Sequence, residues 1–545
     1  MRVSQTVTDA AIPLTDAQGP TRDPLWARLM LITRTERFWG WAGPLLVTLV
    51  GAWMRFRRLG NPHRLIFDET YYVKEAAAYL KYGYEVGLKE SILADANKRN
   101  EAADKLFTQG NLDIWSNAPD RVVHPPVGKW MIAGGEWLFG PASSTGWRFA
   151  AALCGTLSIL MLGRIAYRLF GSALLGTTAA GLLALDGQHL VHSRTGILDI
   201  FVMFWAVAAF GALLVDRDHA RARLAAWAAR RSPGDPRPRF GPWLGLRPWR
   251  IAGVVALALC TGVKWSGLFF AAAFLLMSVL WDVAGRRAHG IRFWFPGAVL
   301  VDGLPAFLMT VVVLPAVYVS TWIGWFLSTD GYARQWAATH VAEPGWGWVP
   351  GSLRSLLWYH SDAWTFHHAL TQDHDWQSNP WAWMVLGRPT LFLYDTHTTG
   401  HAGCHIDSCR QVTTSLGNPA IWWVGTVCLA VVLFRWALAR DWRAGAILSG
   451  LVGGYLPWFL YQYRTIFEFY AIAFVPWVVL AVVYCLGLVL GPPGASESRR
   501  RRGGAVFGAY VLTAVLTCWF FFPIYTGRNI SQTGVDLRDW FPSWF

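Results

Sequence analysis

Residues 467–490 read FEFYAIAFVPWVVLAVVYCLGLVL, and Glu468 is the only charged side chain among them. A helix of about 20 predominantly apolar residues is long enough to cross the hydrocarbon core of a bilayer. Comparable runs recur about eleven times along the chain, which predicts an all-α polytopic membrane protein. They lie near 39–56, 146–168, 173–190, 196–215, 250–264, 266–283, 296–320, 419–437, 443–461, 467–490 and 504–523.

The composition of the chain excludes most soluble classes of protein. Hydrophobic residues fill 54% and charged residues 15% of its 545 positions, whereas an ordinary soluble domain has about 25% charged residues. So little charge cannot cover the several soluble domains that such a length would form. Intrinsic disorder fails for the same reason, and 7 Cys are too few for a disulfide-built scaffold.

The net charge of +14 would suit a nucleic-acid-binding protein, but the basic residues are sorted as in a membrane protein. Lys and Arg are enriched in short cytoplasmic loops, and 26 of the 48 basic residues fall in the N-terminal tail and alternate turns. We expect a cell-membrane protein with no nucleic-acid partner, a cytoplasmic N-terminus and an outer C-terminus. Its parts would be a cytoplasmic tail (1–38), spans 1–7 (39–320) with an outer loop (57–145), a second outer loop (321–418), and spans 8–11 with an outer tail (419–545).

Three arginines at the outer end of span one break this sorting. These are Arg55, Arg57 and Arg58, and they lie on the predicted outer side, whereas Lys and Arg are enriched in cytoplasmic loops. A guanidinium group pairs with phosphate oxygens through two parallel hydrogen bonds, which suits a lipid phosphate or pyrophosphate. Simple snorkelling to lipid headgroups is the alternative explanation.

The first outer loop contains several side chains that can carry chemistry. Asp68 precedes a helix-like stretch, 69–81, so its carboxylate is either a helix N-cap or a general base held beside arginine. The loop closes with HPPVGK (124–129), and consecutive prolines start a helix at its first turn. We expect His124 and Lys129 to face the membrane surface and to line a site.

Several motifs in this order resemble those of the protein O-mannosyltransferases, which are GT-C glycosyltransferases with polyprenyl-phosphate sugar donors. The resemblance runs from about residue 40 to the end of the chain. It implies a GT-C fold and transfer of mannose from polyprenyl phosphate mannose to Ser/Thr hydroxyls of exported proteins, with inversion at the anomeric carbon, on the outer face. The motifs are FDETYY (67–72), HPPVGK (124–129), HSRTGILD (192–199), KWSGLF (264–269), the stretch from Tyr359-His360 to SNPWAW (378–383), and WFPSWF (540–545).

The resemblance also implies roles for individual residues. Asp68 matches the catalytic base, and Glu69 beside it is expected to position the acceptor or the sugar. Arg55 and Arg194 match residues that bind the donor phosphate. Lys264 is a further phosphate-binding candidate, because an ammonium group at the end of a span is usually functional. Snorkelling is the alternative for Lys264.

Two acidic residues flank the outer turn that contains Arg194. Asp186 and Asp199 are expected to pair with arginine, and donor binding is the alternative. No role is predicted for Asp302.

The expected reaction needs neither a metal nor another cofactor. The leaving group is a lipid phosphate, which is already an anion, so it requires cationic stabilisation rather than a general acid. The expected partners are polyprenyl phosphate mannose, Ser/Thr-rich exported proteins or peptides, membrane lipids and, as a candidate, the secretion translocon. The main alternative is another GT-C enzyme with a polyprenyl-phosphate sugar donor that acts on lipid or cell-wall glycan. A secondary transporter is disfavoured, because it would place polar groups near the bilayer midplane.

The second outer loop predicts an amphipathic helix over 352–376, with His360, His367 and His374 along one stripe. These histidines cannot share a metal ion, since seven residues of helix advance about 10.5 Å while metal–nitrogen bonds span about 2.1 Å. The helix either docks on the spans or lines an acceptor groove with His360 and His367.

Cys404 and Cys409 lie in the oxidising outer space, which makes a local disulfide plausible. Eukaryotic members of the family carry a β-trefoil module in this loop. About 98 residues (321–418) are too few for that module and a helix together, so the chain resembles the bacterial branch.

Overall fold

Each of the eleven apolar runs lies on helical structure in the computed structural model, which describes residues 34–92, 95–121, 123–232, 236, 238–492 and 494–545. Within these residues, eight helical segments are long and apolar enough to cross a membrane. The polytopic helical architecture is therefore confirmed, while the count of eleven spans stays a prediction. Residues 1–33 of the predicted cytoplasmic tail lie outside the described residues, and the rest of that tail already belongs to the first helix.

The α-helices of the first half lie before, within and after the first outer loop. They are α1 (Arg34–Phe56), α2 (Glu69–Tyr82), α3 (Ala96–Thr108), α4 (Val127–Phe139), α5 (Ser144–Phe170), α6 (Ala173–Leu185), α7 (Gly187–His192), α8 (Asp199–Ala228), α9 (Pro248–Val263), α10 (Gly267–Ala288), α11 (Trp294–Gly297) and α12 (Leu304–Ser320).

The second half contains the second outer loop and the remaining membrane helices. Its α-helices are α13 (Ile323–Leu327), α14 (Trp336–Thr339), α15 (Gly351–Ala369), α16 (Pro380–Trp383), α17 (Pro419–Ala439), α18 (Trp442–Gly454), α19 (Val475–Leu490), α20 (Glu497–Tyr525) and α21 (Gln532–Asp536). Short 3-10 helices cover Glu90–Ile92, Leu456–Tyr461 and Glu468–Phe474, and a π-helical turn covers Ala298–Gly303.

The membrane helices are arranged in an inner and a peripheral layer. In α19, twelve of sixteen residues are buried, which fits a helix that is apolar on every side. In α12, Ala306 is the one buried residue, so nearly the whole helix faces outward. Outward-facing apolar side chains of this kind contact lipid rather than water.

The predicted third run is divided at Asp186. The Asp186 carboxylate accepts a hydrogen bond from the backbone N–H of His189 (2.9 Å) and so starts the short helix α7. The division places α7 beside Ser415 of the second outer loop, whose hydroxyl lies 3.1 Å from His192 Nε2.

The first outer loop folds as its sequence predicts at two points. Helix α2 starts directly after Asp68 and ends at Gly83, whose φ of 82° is the left-handed conformation that glycine adopts readily. Helix α4 starts after Pro126. Strands β1 (Val86–Leu88) and β2 (Trp115–Pro119) pair antiparallel between these helices.

The second outer loop differs from its prediction. Helix α15 ends at Ala369 rather than near residue 376, because the following backbone bonds to another segment: the Thr465 N–H donates to the Leu370 carbonyl. The loop then forms strands β3 (Thr390–Thr398) and β4 (Ser408–Ser415), and β4 also pairs with β5 (Asn529–Ile530). This small sheet, rather than a β-trefoil, follows α15.

Candidate active site

A cavity of about 730 Å³ opens where the outer ends of the membrane helices meet the second outer loop. Its size is that of a small-molecule site. Six α-helices (α8, α9, α10, α12, α15 and α18) and the 3-10 helices Leu456–Tyr461 and Glu468–Phe474 contribute to its wall. The polar or aromatic lining includes His124, Asp199, Lys264, Trp265, Tyr318, His360, Trp364, His367, His368, Tyr461, Arg464 and Tyr470.

Lys264 supplies a cation at the floor of this cavity. It follows the last residue of α9, and its Nζ lies 2.7 Å from Oδ2 of Asp199, the first residue of α8. The Tyr470 ring centroid is 5.3 Å from the same Nζ. The expectation that Asp199 pairs with arginine is wrong, because its carboxylate orients this lysine instead.

The Asp68 carboxylate is not used by the helix that it precedes. It makes no capping hydrogen bond to α2 and accepts none from the residues that the structure describes, so the N-cap alternative does not hold. Phe67 before it has a positive φ of 49°, an uncommon conformation that stacking of its ring on Phe392 (4.4 Å) secures.

The electrostatic surroundings of Asp68 suit a proton acceptor. Burial raises the pKa of the Asp68 carboxyl from 3.8 to about 6; Lys264 opposes this shift and Asp199 adds to it. Lys264 and Asp199 both line the cavity, and Asp68 acts on it through its electrostatic interaction with them. A carboxylate with a pKa of about 6 is ionised at neutral pH and basic enough to take a proton.

Glu69 has a different place from the one predicted for it. Its buried carboxylate forms a bidentate pair with Arg148, with both N–O distances 2.8 Å. It also accepts hydrogen bonds from the backbone N–H groups of Ile66 (3.0 Å) and Gly196 (2.7 Å). Glu69 is therefore occupied by protein groups and fixes the start of α2, while its role in positioning sugar or acceptor stays a prediction.

Arg55 and Arg194 do not line the cavity. Arg55 is fully buried and its Nη2 lies 2.6 Å from Nδ1 of His189. The Arg194 guanidinium donates to backbone carbonyls at the end of α1, including those of Arg55 (2.7 Å) and Arg57 (2.9 Å). A helix end leaves such carbonyls without partners, and Arg194 supplies them. Both arginines therefore bond protein groups in this structure, and their binding of the donor phosphate stays a prediction.

Lys129 also lies away from the cavity. It is buried, with Nζ 2.6 Å from Glu85 Oε1 and 3.3 Å from Glu75 Oε2. This cluster ties α4 to α2 and to β1. The expectation that Lys129 faces the membrane surface and lines the site is wrong, because two carboxylates hold it in the interior.

Asp186 does not pair with arginine directly either. Besides starting α7, it accepts hydrogen bonds from the Asn418 backbone N–H (3.1 Å) and from Trp422 Nε1 (2.9 Å). Asp302, which had no predicted role, forms an ion pair of 2.6 Å with Arg286.

The three histidines predicted to line the site are all in the cavity wall. His360 Nε2 lies 2.7 Å from the Tyr318 hydroxyl, and its ring stacks on Trp265. His367 Nε2 lies 3.0 Å from the Val123 carbonyl, which places its ring 5.3 Å from that of His124. Burial lowers the pKa of His367 to about 4 and that of His124 well below its usual range, so both imidazoles are neutral at pH 7.

The histidines are not arranged as metal ligands. In the part of the chain that the structure describes, no group of three or more His, Cys, Asp or Glu side chains could hold a metal ion. His374 lies beyond the end of α15 and packs on Phe467. Cys404 and Cys409 form a disulfide with a Cα–Cα distance of 5.8 Å, across the turn between β3 and β4.

Arg464 is the cavity cation that sequence reasoning missed. It lines the cavity, and its buried Nε has no hydrogen-bond partner among the described residues. The signal was present in the sequence, because Arg464 is the single basic residue of its own outer turn, 462–466. Lys and Arg are enriched in cytoplasmic loops instead.

Comparison with known proteins decides the family. A Mycolicibacterium smegmatis protein named polyprenol-phosphate-mannose–protein mannosyltransferase is 35% identical over 93% of this chain and 94% of its own length. This chain belongs to the protein O-mannosyltransferase family. Relatives of the same name from Mycobacterium tuberculosis (35% identical over 93% of this chain and 92% of the relative) and Corynebacterium glutamicum (36% over 78% and 81%) agree.

Family models and a solved structure support the assignment to the O-mannosyltransferases. The model for dolichyl-phosphate-mannose-protein mannosyltransferase matches residues 122–231, and the model for the C-terminal four-span region of protein O-mannosyltransferase matches residues 352–544. The Saccharomyces cerevisiae Pmt1-Pmt2 complex bound to its sugar donor has a TM-score of 0.68, 14% sequence identity, and coverage of 97% of this chain and 96% of that one. At this identity the likeness shows the fold, and it confirms the GT-C architecture of this O-mannosyltransferase.

Proposed function

We propose that this mannosyltransferase moves mannose from polyprenyl phosphate mannose to the hydroxyl groups of Ser and Thr in exported proteins. The names of its relatives support the donor and the kind of acceptor. The observation that carries the proposal is the placement of Asp68, a carboxylate without a hydrogen-bond partner among the described residues, whose charge is coupled to the cavity cation Lys264.

The reaction we propose is a single displacement at the anomeric carbon. Asp68 accepts the proton of the acceptor hydroxyl as its oxygen forms a bond to C1 of mannose. The C1–O bond to phosphate breaks, and its electron pair leaves with polyprenyl phosphate. Attack from the face opposite the leaving group inverts the anomeric carbon, so a β-linked donor gives an α-mannoside.

The departing phosphate needs positive charge rather than a proton. Lys264 and Arg464 are the cavity cations that we assign to it, since fixed cations in a partly desolvated site stabilise developing negative charge strongly. Asp199 holds Lys264 in place, and the Glu69–Arg148 pair fixes the chain just after Asp68. With a monophosphate donor and these cations, we propose that the reaction requires no divalent metal and no other cofactor.

The proposed cellular setting follows from the sorting of basic residues. We place the N-terminus in the cytoplasm and the two loops, 57–145 and 321–418, outside the cell membrane, with the cavity at its outer surface. Acceptors would arrive there as they are exported, which makes the secretion translocon a candidate partner.

The direct test uses purified protein, polyprenyl phosphate mannose and a Ser/Thr-rich peptide, with peptide mass as the readout. A gain of one hexose on a Ser or Thr side chain is the expected result. Transfer of sugar to a lipid or glycan acceptor, with unmodified peptide, would instead assign the chain to another reaction of the same architecture.

A further inference from the structure

A patch of strongly exposed apolar side chains follows helix α12 in the second outer loop. Val341 is 96%, Trp348 83% and Leu327 79% exposed. Trp346 and Ile323 are each about half exposed. A contiguous apolar surface on a protein usually marks a contact with another phase or another molecule. We call residues 341–349 the tryptophan loop.

The tryptophan loop is held at the outer end of α12 from both sides. Before it, Trp322 follows α12 directly and packs on Tyr359 of α15, with 5.4 Å between ring centroids. After it, α15 returns to α12, where His360 bonds the Tyr318 hydroxyl at 2.7 Å. The segment between these two contacts is folded, because Trp336 stacks on Trp358 and Val349 is buried. The segment that carries the loop is therefore tied to the end of α12 on both sides.

The helix that leads into the loop faces outward along nearly its whole length, with Ala306 as its one buried residue. Phe307, Leu308 and Val312 of α12 are each more than half exposed, and such side chains at membrane depth contact lipid tails. The exposed residues Ile323 and Leu327 continue this surface beyond the last turn of α12. Ile323 and Leu327 thus extend the outward-facing apolar surface of α12 into the second outer loop.

The composition of the tryptophan loop matches the boundary between lipid and water. It reads VAEPGWGWV, with Glu343 as its one charged residue. Tryptophan concentrates at headgroup level, where its ring is surrounded by lipid and its N–H by water. Neither Trp346 nor Trp348 donates its indole N–H to another described residue, so both remain able to bond headgroups or water.

We propose that the tryptophan loop inserts into the headgroup region of the outer leaflet and anchors the second outer loop to the membrane surface. The anchor fixes the height of α15, which together with α12 forms the side of the cavity that contains Trp364 and Leu314. A substrate carried by a lipid would reach the cavity at this height. The anchoring itself rests on exposure and continuity, and it stands whether or not the proposed reaction is correct.

The test places an environment-sensitive dye on the loop. Trp348→Cys is labelled with a nitrobenzoxadiazole maleimide and reconstituted into vesicles of phosphatidylethanolamine and phosphatidylglycerol. A fraction of the phospholipid carries a nitroxide quencher either near the headgroup or deep in the acyl chain. The wild-type protein, labelled in parallel, corrects for reaction at the native cysteines. The matched control is Lys105→Cys, on the polar helix α3 of the first outer loop, where the native side chain is 71% exposed.

We expect the dye at position 348 to emit at shorter wavelength and to lose most of its emission to the shallow quencher, with less loss to the deep one. The dye at position 105 should be unaffected by both. Equal behaviour of the two positions, or an unquenched dye at 348, would overturn the proposal. Protection at 348 that rises with the density of protein in the vesicle would also overturn it, because a second copy would then cover the loop.

Discussion

The protonation of Asp68 should control the rate of mannose transfer. Because burial raises the pKa of this carboxyl to about 6, about nine tenths of the enzyme has the base ionised at pH 7 and about one tenth at pH 5. The ionised form is the one that accepts a proton, so the rate should be level above pH 7 and fall about tenfold per pH unit below pH 6. A carboxyl at its ordinary value of 3.8 would keep the rate level throughout this range.

The assay follows peptide mass at subsaturating donor and acceptor between about pH 5 and about pH 8, where kcat/KM reports the pKa of the free enzyme. Asp68→Asn should lower kcat/KM by about 10²–10⁴-fold and remove the fall at low pH, since the base is the titrating group. Donor binding and the unfolding temperature should change little, because the Asp68 carboxylate makes no hydrogen bond that the fold needs.

Asp113→Asn is the matched control, because Asp113 lies in the same outer loop, is 81% exposed and pairs with Lys89 at the surface. This variant should keep both the rate and the pH profile of the wild type. A wild-type rate that stays level down to pH 5, or full activity in Asp68→Asn, would refute the assignment of the base.

Three further outcomes follow from the site. Arg148→Ala should destabilise the protein by about 3–5 kcal/mol, seen as a lower unfolding temperature in detergent, because it leaves the buried Glu69 charge without its partner. Arg464→Gln should raise the KM for the donor at least tenfold while the unfolding temperature stays near normal, because Arg464 lines the cavity. Arg194→Gln should chiefly lower the unfolding temperature, since Arg194 caps a helix end. Extensive treatment with EDTA should leave the transfer rate unchanged; a loss that Mg²⁺ or Mn²⁺ restores would show that a metal takes part.

Hydropathy and helix signals predicted the fold because they depend on local sequence. Helical structure along the apolar runs, the start of α2 after Asp68 and the start of α4 after Pro126 all appear as expected, while the number of spans stays a prediction. The end of α15 was not predictable in the same way. Its position depends on a backbone hydrogen bond from Thr465 to Leu370, residues far apart in sequence.

The candidate site was predicted less completely than the fold. Lys264 and the three histidines line the cavity, as their motifs and their position at the ends of spans predicted. The role of Asp68 as the base, which rests on a motif, stays a prediction. Glu69 and Lys129 belong to the same motifs but have buried charged partners in the structure, Arg148 and Glu85. Sequence position does not reveal which member of a motif faces the cavity, since that depends on helices that meet only in the folded chain.

The arginines show why an outer cation is an ambiguous signal. Near the ends of membrane helices the last carbonyl groups lack partners, and unsatisfied backbone groups are costly where water is scarce. A guanidinium group has five N–H donors in a plane, and Arg194 uses this geometry to bond several carbonyls at the end of α1. The same property makes arginine a good phosphate ligand, so residue type and position alone fit both roles. Arg464 differs from Arg194 in that its buried Nε, in the cavity wall, has no acceptor among the described residues. That difference becomes visible only when every donor is matched with its acceptor in three dimensions.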